Sequence, residues 1–512
     1  MKTQKISMPF TKFKSKYWIL PILLVSLIYI LDRRYFVSPT LYCDDWSILY
    51  GNIINQGVVF DITNRRPLGR FLLHFLAPIF GTQIKYYYII NFILIFSIGI
   101  CYYLILSRVF RSKTWISLLT VLLFLIYPLN FSKVWWTMLV IHFVLLLNLF
   151  VILLLLSYSS SNKMWKVILA NLLCIVSLLM YEAGLGIVML ASLLLAFKQR
   201  RESKRQSLAI FSVFLTGVIF IVWRIFIQPR LFNVQDNYLP QLTTSIPTIA
   251  YRYLQGAFIA IYNWFGPFLF DLGENKYLFF LIIGLILLGL LSILFLKRLK
   301  LIKSSIKFPW TERKEKIRSL SIILLIGLVF WAAGYIPVIS YTSPAISGLD
   351  TRFNLFASLG AALAFVSGIA LIVTTLVKSK DRIYLITTIA LIPFIILGAF
   401  YQLWSQNEQF KAWEIQKQFW HSMFEDIPGL KDETRVVIAI TGFEELDQFE
   451  FLPFVGNWEA RSALKILYNS ETLNAQYYYI DRPNGGGYDL PVNADWSEYI
   501  AVLYEPEINH LQ

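Results

Sequence analysis

The stretch Tyr86-Tyr-Tyr-Ile-Ile-Asn-Phe-Ile-Leu-Ile-Phe-Ser-Ile-Gly-Ile-Cys-Tyr-Tyr-Leu-Ile-Leu106 carries no charged side chain from end to end. At the helical rise of 1.5 Å per residue it is about 30 Å long, the thickness of a bilayer's hydrocarbon core. Its apolar residues neither alternate nor confine themselves to one helical face, so a half-buried strand and a surface helix are both poor readings. Tyrosines stand at both ends, where aromatic rings favour the membrane–water boundary. The stretch reads as a membrane-spanning helix.

Working outward, Tyr17–Leu31 and Tyr277–Leu296 have the same character. Over all 512 residues, 57% are hydrophobic and 15% charged, whereas a soluble domain carries about 25% charged residues. Apolar blocks predict spans at 17–36, 86–107, 114–130, 134–157, 166–181, 184–197, 207–227, 277–296, 319–339, 355–377 and 383–401. The expected fold is an all-α polytopic membrane protein of about eleven helices, with a small α/β domain at its C-terminal end. The basic Met1–Lys16 precedes an apolar run of spanning length with no small-residue cleavage site, so it reads as the lead-in to a retained first helix.

Charge gives the expected orientation. With the N-terminus cytoplasmic, the inner segments are 1–16, 108–113, 158–165, 198–206, 297–318 and 378–382. They hold more than half of the 46 Lys and Arg, but only Glu202, Glu312, Glu315 and Asp381 among the acids. Lys and Arg collect on cytoplasmic loops, and this accounts for the net charge of +15 without a nucleic-acid partner. The acids, and the C-terminal domain with them, then face away from the cytoplasm. The three cysteines form no disulfide framework: Cys101 and Cys174 lie within apolar blocks, and Cys43 stands alone in a loop.

Two outer loops, 32–85 and 228–276, are long enough to carry function. They contain half-apolar pieces, Trp46–Ile54, Leu68–Phe80 and Gly256–Phe270, suited to the interface; Trp46, Leu49, Tyr50 and Ile53 recur at one-face helical spacing. The membrane domain is placed at 1–403 and the extracytoplasmic domain at 404–512. In the latter, Gln406–Phe424 and Trp458–Tyr468 read as helices, Arg435–Thr441 and Tyr499–Tyr504 as strands, and Asn484-Gly-Gly-Gly487 as a turn.

Chemistry concentrates in the outer segments. Asp44-Asp45-Trp46 sets two carboxylates at the start of a helix, where one can cap the helix and the other can take a proton from a hydroxyl. Arg65, Arg66 and Arg70 break the positive-inside pattern, and guanidinium groups recognise phosphate, including lipid headgroups, by paired hydrogen bonds. Glu182, in the tight turn Tyr181-Glu182-Ala183-Gly184, is either a solvated turn residue or a functional acid. Arg352 adds a cation before the tenth span. Lys85, Arg224 and Arg252 are explained by snorkelling at helix ends. His74, flanked by Leu73 and Phe75, reads as structural, and the histidines have no zinc-ligand spacing.

In order and sidedness, Asp44-Asp45-Trp46, Arg65-Arg66-Pro67-Leu68 and Tyr181-Glu182 resemble the GT-C superfamily of membrane glycosyltransferases, which includes protein O-mannosyltransferases and lipid A aminoarabinose transferases. The resemblance covers about residues 10 to 400 and does not extend to the C-terminal domain. It implies a GT-C-like fold in the cell membrane, a catalytic acid at Asp44 or Asp45, and a sugar donor on polyprenyl phosphate. Transfer would be inverting, to a hydroxyl on a glycan, lipid or protein acceptor. Arg65, Arg66, Arg70 and Arg352 would bind the donor phosphate, and any divalent cation would fall to Asp44, Asp45 and Glu182. A surface-polysaccharide polymerase or ligase would use the same arginines without needing the acid pair. A transporter or flippase would show charged or broken helices at mid-membrane depth.

Overall fold

The computed structural model describes residues 39–54, 60, 66–110, 114–129, 135–232, 244–264, 310–340, 342–346, 349–377, 379–442, 452–480 and 499–504. The short helix α1, Asp44–Ile48, runs into a π-helical segment, Leu49–Ile54. Thereafter come α2 (Phe71–Phe80), α3 (Ile84–Val109), α4 (Thr114–Ile126), α5 (Leu139–Ser161), α6 (Trp165–Met180), α7 (Leu185–Arg200) and α8 (Lys204–Val222, prolonged to Phe232). They are followed by α9 (Ile246–Tyr262), α10 (Trp310–Tyr335), α11 (Asn354–Leu376) and α12 (Lys380–Asp426).

Among the described residues, seven helices are long and apolar enough to cross a membrane; α2, α4 and α6 are apolar but shorter. The expected spans 86–107 through 207–227, and 319–339 through 383–401, each fall on one helix. Two of these, α4 and α6, have 13 and 16 residues, short of the roughly 20 that a bilayer requires. The expected spans 17–36 and 277–296 lie outside the described residues. Apolar side chains also cover the outside of the bundle: Ile168, Leu172 and Ile175 on α6, and Leu208, Leu215 and Ile219 on α8, are exposed. Water does not tolerate such continuous stripes, but lipid does.

Inside the bundle, close approach of backbones accompanies a core of large apolar side chains such as Phe124, Trp136, Leu145 and Phe356. Where α10 meets α11, a Cβ on Gly360 would run into the Trp331 backbone nitrogen, and one on Gly334 would stand 2.5 Å from the Ala357 backbone. Helices in lipid pack in this way, through small residues and uncharged polar contacts. Accordingly Ser177 Oγ–H donates to Asn148 Oδ1 (2.8 Å), Thr216 Oγ1–H to Asn171 Oδ1 (2.7 Å), and Tyr335 O–H to Asn354 Oδ1 (2.9 Å). Helix α9 turns its polar groups inward, with Arg252 donating to the Ile339 carbonyl at 2.7 Å, and exposes Tyr251, Leu254, Phe258 and Ile261.

Helix α12 is 47 residues of unbroken helix, about 70 Å long. The expected boundary at 403/404 lies inside it, so the last span and the amphipathic helix at 406–424 are one element. Its distal half buries Ala412, Ile415, Phe419 and Met423 at helical spacing. Most of these join the core of a three-stranded parallel sheet, order β2-β1-β3, with β1 Arg435–Ile440, β2 Asn474–Tyr479 and β3 Tyr499–Tyr504. Helix α13, Asn457–Leu467, lies between β1 and β2 in the chain. Strand β2 is an addition to the sequence-based elements, and Asn484–Gly487 lies outside the described residues.

Candidate functional site

Cys43, buried and held at φ 50°, turns the chain into α1. A non-glycine residue in that left-handed region is uncommon and needs support around it. The support is local: Asp45 N–H donates to the Tyr42 carbonyl at 2.9 Å, and Tyr42 N–H donates back to Asp45 Oδ2 at 2.8 Å. The two bonds close a tight Tyr42–Asp45 turn around Cys43, the N-cap of α1. Thr137 also hydrogen-bonds the Asp45 carboxyl, which is fully buried; burial holds its pKa well above the usual carboxylate range, and Asp44 adds to the shift.

Asp44 is the carboxylate left open. Its side chain is 32% exposed and pairs with Arg352, Nη1 to Oδ2 at 3.4 Å. Arg352 lies in a 3₁₀ turn, Leu349–Phe353, where it also faces Asp350 at 3.8 Å. A second ion pair joins Arg66 to Glu182 by both carboxylate oxygens, Nε–Oε2 3.2 Å and Nη2–Oε1 3.3 Å. The Arg66 guanidinium also lies 3.9 Å from the centroid of the Tyr181 ring, so planar charge and ring face reinforce each other. The Arg66 loop is tied to this turn by Leu68 N–H donating to the Leu179 carbonyl at 3.0 Å.

Three single-turn 3₁₀ segments bring these groups to one end of the bundle: Trp136–Met138 before α5, Glu182–Gly184 before α7, and Leu349–Phe353 before α11. The second and third adjoin, for a Cβ on Gly184 would meet the side chain of Phe356 in the first turn of α11; it would also meet Asn148, nine residues into α5. Helix N-termini present unsatisfied N–H groups and partial positive charge, and Arg66 and Arg352 add full charge at the same end. The basic tract 198–205, at the other end of α7, lies opposite.

The sequence-predicted residues are therefore gathered as two ion pairs rather than as one acidic cluster. Neither aspartate caps α1, whose N-cap is Cys43 with no side-chain cap bond; Asp45 has turned inward onto the Tyr42 amide, and Glu182 faces Arg66. Among the described residues no three His, Cys, Asp or Glu are grouped as metal ligands, so the set Asp44, Asp45 and Glu182 does not form one. Arg70 is exposed beside the π-helical segment, its Nη2 about 4.0 Å from where a Gly51 Cβ would stand. Arg65 lies outside the described residues. Arg224 and Arg252 do not snorkel outward; they turn inward to Gln228 and the Ile339 carbonyl.

The site continues into the C-terminal domain, which sequence alone did not connect to it. Trp46 is buried in that domain's core, its ring centroid 6.2 Å from those of both Trp413 and Trp420. Its indole N–H donates to Gln416 Oε1 at 3.2 Å, and Gln416 Nε2 donates to Glu459 Oε1 at 2.6 Å. Protein therefore covers both sides of α1, with Leu49 in the core of the bundle. Chemically the end of the bundle offers one accessible carboxylate with a guanidinium against it, and a second guanidinium on the adjoining turn. No family model matches the chain, and no curated protein matches it in sequence.

Proposed function

We propose that the chain is a multi-pass membrane glycosyltransferase of the GT-C kind, with eleven spans, which moves a sugar from polyprenyl phosphate to an acceptor hydroxyl. The N-terminus is cytoplasmic, and the chemistry and the C-terminal domain lie on the far side of the cell membrane. The observation that carries this reading is the Asp44–Arg352 pair: a partly exposed carboxylate on the first loop, held against a cation that precedes α11. Asp44 is the base, since Asp45 is spent on the Tyr42 turn.

In the proposed step Asp44 takes the proton of the acceptor hydroxyl as its oxygen attacks the anomeric carbon. The bond from that carbon to the phosphate oxygen breaks, its electrons leave with the lipid phosphate, and the configuration inverts. Arg352 and Arg66, beside three helix N-termini, stabilise the growing negative charge. Transport is supported less well, because the contacts Ser177–Asn148, Thr216–Asn171 and Tyr335–Asn354, which join α5 to α6, α6 to α8 and α10 to α11, pair uncharged groups.

The test is sugar release from a panel of labelled polyprenyl-phosphate sugars by purified protein in lipid nanodiscs. Asp44→Asn is expected to lower turnover by a factor of about 100 to 10,000, while Asp45→Asn, which keeps an acceptor oxygen for the Tyr42 N–H, retains turnover. An Asp44→Asn protein that turns over at the wild-type rate removes the base from the mechanism, and silence of the wild type on every donor removes the reaction.

A further inference from the structure

We infer that Glu459 is a positioning residue for Asp44, acting from the C-terminal domain through Gln416 and Trp46. Activity as its readout rests on the glycosyl-transfer reading; the geometry does not.

A glutamate on the buried stripe of α13, beside Ala460, Ala463 and Leu464, is costly unless its oxygens are satisfied. Both are. Oε1 accepts from Gln416 Nε2 at 2.6 Å, and Oε2 accepts from Val455 N–H at 3.0 Å. Gln416 Nε2 also donates to the Pro453 carbonyl, and its amide oxygen is directed to the Trp46 indole N–H at 3.2 Å. The chain thus links α13, α12 and α1 in a fixed donor–acceptor order, and ends two residues from Asp44. Glu459 is fully buried, so it does not touch substrate.

Helix α1 has five residues, too few to stand alone in water, and its orientation has to come from its neighbours. On the bundle side it is set by the Tyr42–Asp45 turn and Thr137. On the domain side, ring packing around Trp46 would allow sliding, whereas the hydrogen-bond chain admits one register. The separation of Asp44 from Arg352 is therefore fixed from both sides. Misplacement of a reacting group by about 1 Å costs up to 100-fold in rate.

The experiment compares full-length protein in nanodiscs carrying Glu459→Gln, Gln416→Glu, the double exchange, and Trp46→Phe. Glu459→Gln sets an amide NH₂ against a donor, and Gln416→Glu replaces the donor to Glu459 Oε1 with an oxygen. The double exchange restores the order from Trp46 to Val455, while the Pro453 carbonyl, which accepts from Gln416 in the native chain, then faces an oxygen instead of a donor. Each single variant is expected to speed hydrogen exchange across 44–54 and to lower kcat about tenfold with donor KM within about twofold; the double exchange recovers part of both. Trp46→Phe, which keeps a ring and deletes one N–H, should match the single variants. Unchanged exchange and kcat in the folded single variants overturn the inference, as does a double exchange no better than either single. A wild type that transfers no sugar overturns the reaction, and the exchange rates then decide alone whether the domain holds α1.

Discussion

Two adjacent aspartates differ in role because one side chain was claimed by the backbone before chemistry could use it. Asp45 folds back onto the Tyr42 amide; Asp44, one residue earlier, points to Arg352. The expected outcomes differ in kind: loss of turnover with intact folding for Asp44→Asn, and a lower melting temperature for Asp45→Ala, which leaves the Tyr42 amide without its acceptor, read by thermal unfolding in nanodiscs. Arg66 is a second residue whose geometry exceeds its charge. Lysine there would keep the charge and lose both the fork to Glu182 and the face of Tyr181. Arg66→Lys should therefore lower kcat/KM about tenfold, near 1.4 kcal/mol, and an unchanged kcat/KM on the active donor would place Arg66 outside the phosphate site.

Among elements, the pairing of α10 with α11 depends on the absence of side chains. Gly360→Ala puts a methyl group against the Trp331 backbone, which cannot move aside, and should cost about 1–3 kcal/mol. Gly368→Ala, on the same helix, meets only a leucine methyl at 3.9 Å and should be neutral or stabilising, since alanine favours helix over glycine by about 1 kcal/mol. Melting temperatures of the two variants check the contrast. The described spans were legible in the sequence because the long uncharged runs admit little but helix. So was the turn at Asp44-Asp45-Trp46, which is a local signal. The partners were not legible: Arg352 is 308 residues from Asp44 and Glu182 is 116 from Arg66, and no local pattern encodes such contacts. Strand β2 was missed because Asn474-Ala-Gln opens it with weak strand formers. Glu459 did leave a trace, a lone acid on the apolar stripe of α13, which is the mark of a buried polar contact.

Across the whole molecule, the seam between bundle and domain holds two buried acids, Asp45 and Glu459. Burial is the main cause of the raised pKa of each, and Asp44 and Asp45 push Glu459 up further. Tyr42, Cys43 and Tyr477 face the same cluster, and burial raises them as well, which favours their neutral forms. Because both acids bind protons more tightly when docked, their contribution is full below the ordinary carboxylate values, 3.8 and 4.5. It is lost as pH rises from there through the raised values. The melting temperature of the docked protein should fall over that window, and Asp45→Asn should flatten the slope; a midpoint that climbs with pH instead would contradict the assignment.

Helix α12 gives the seam a further property. A bilayer's hydrocarbon core takes up about 30 Å of its roughly 70 Å, so one continuous helix, with Pro393 in its apolar half, runs from a lipid-length segment at one end into the docking domain at the other. Tilting such a helix by 5° displaces its far end by about 6 Å, more than the whole length of the Asp44–Arg352 contact. Helices answer a change in bilayer thickness by tilting. Acyl-chain length thereby becomes a control on the geometry at Asp44, and turnover in nanodiscs of graded thickness should pass through an optimum.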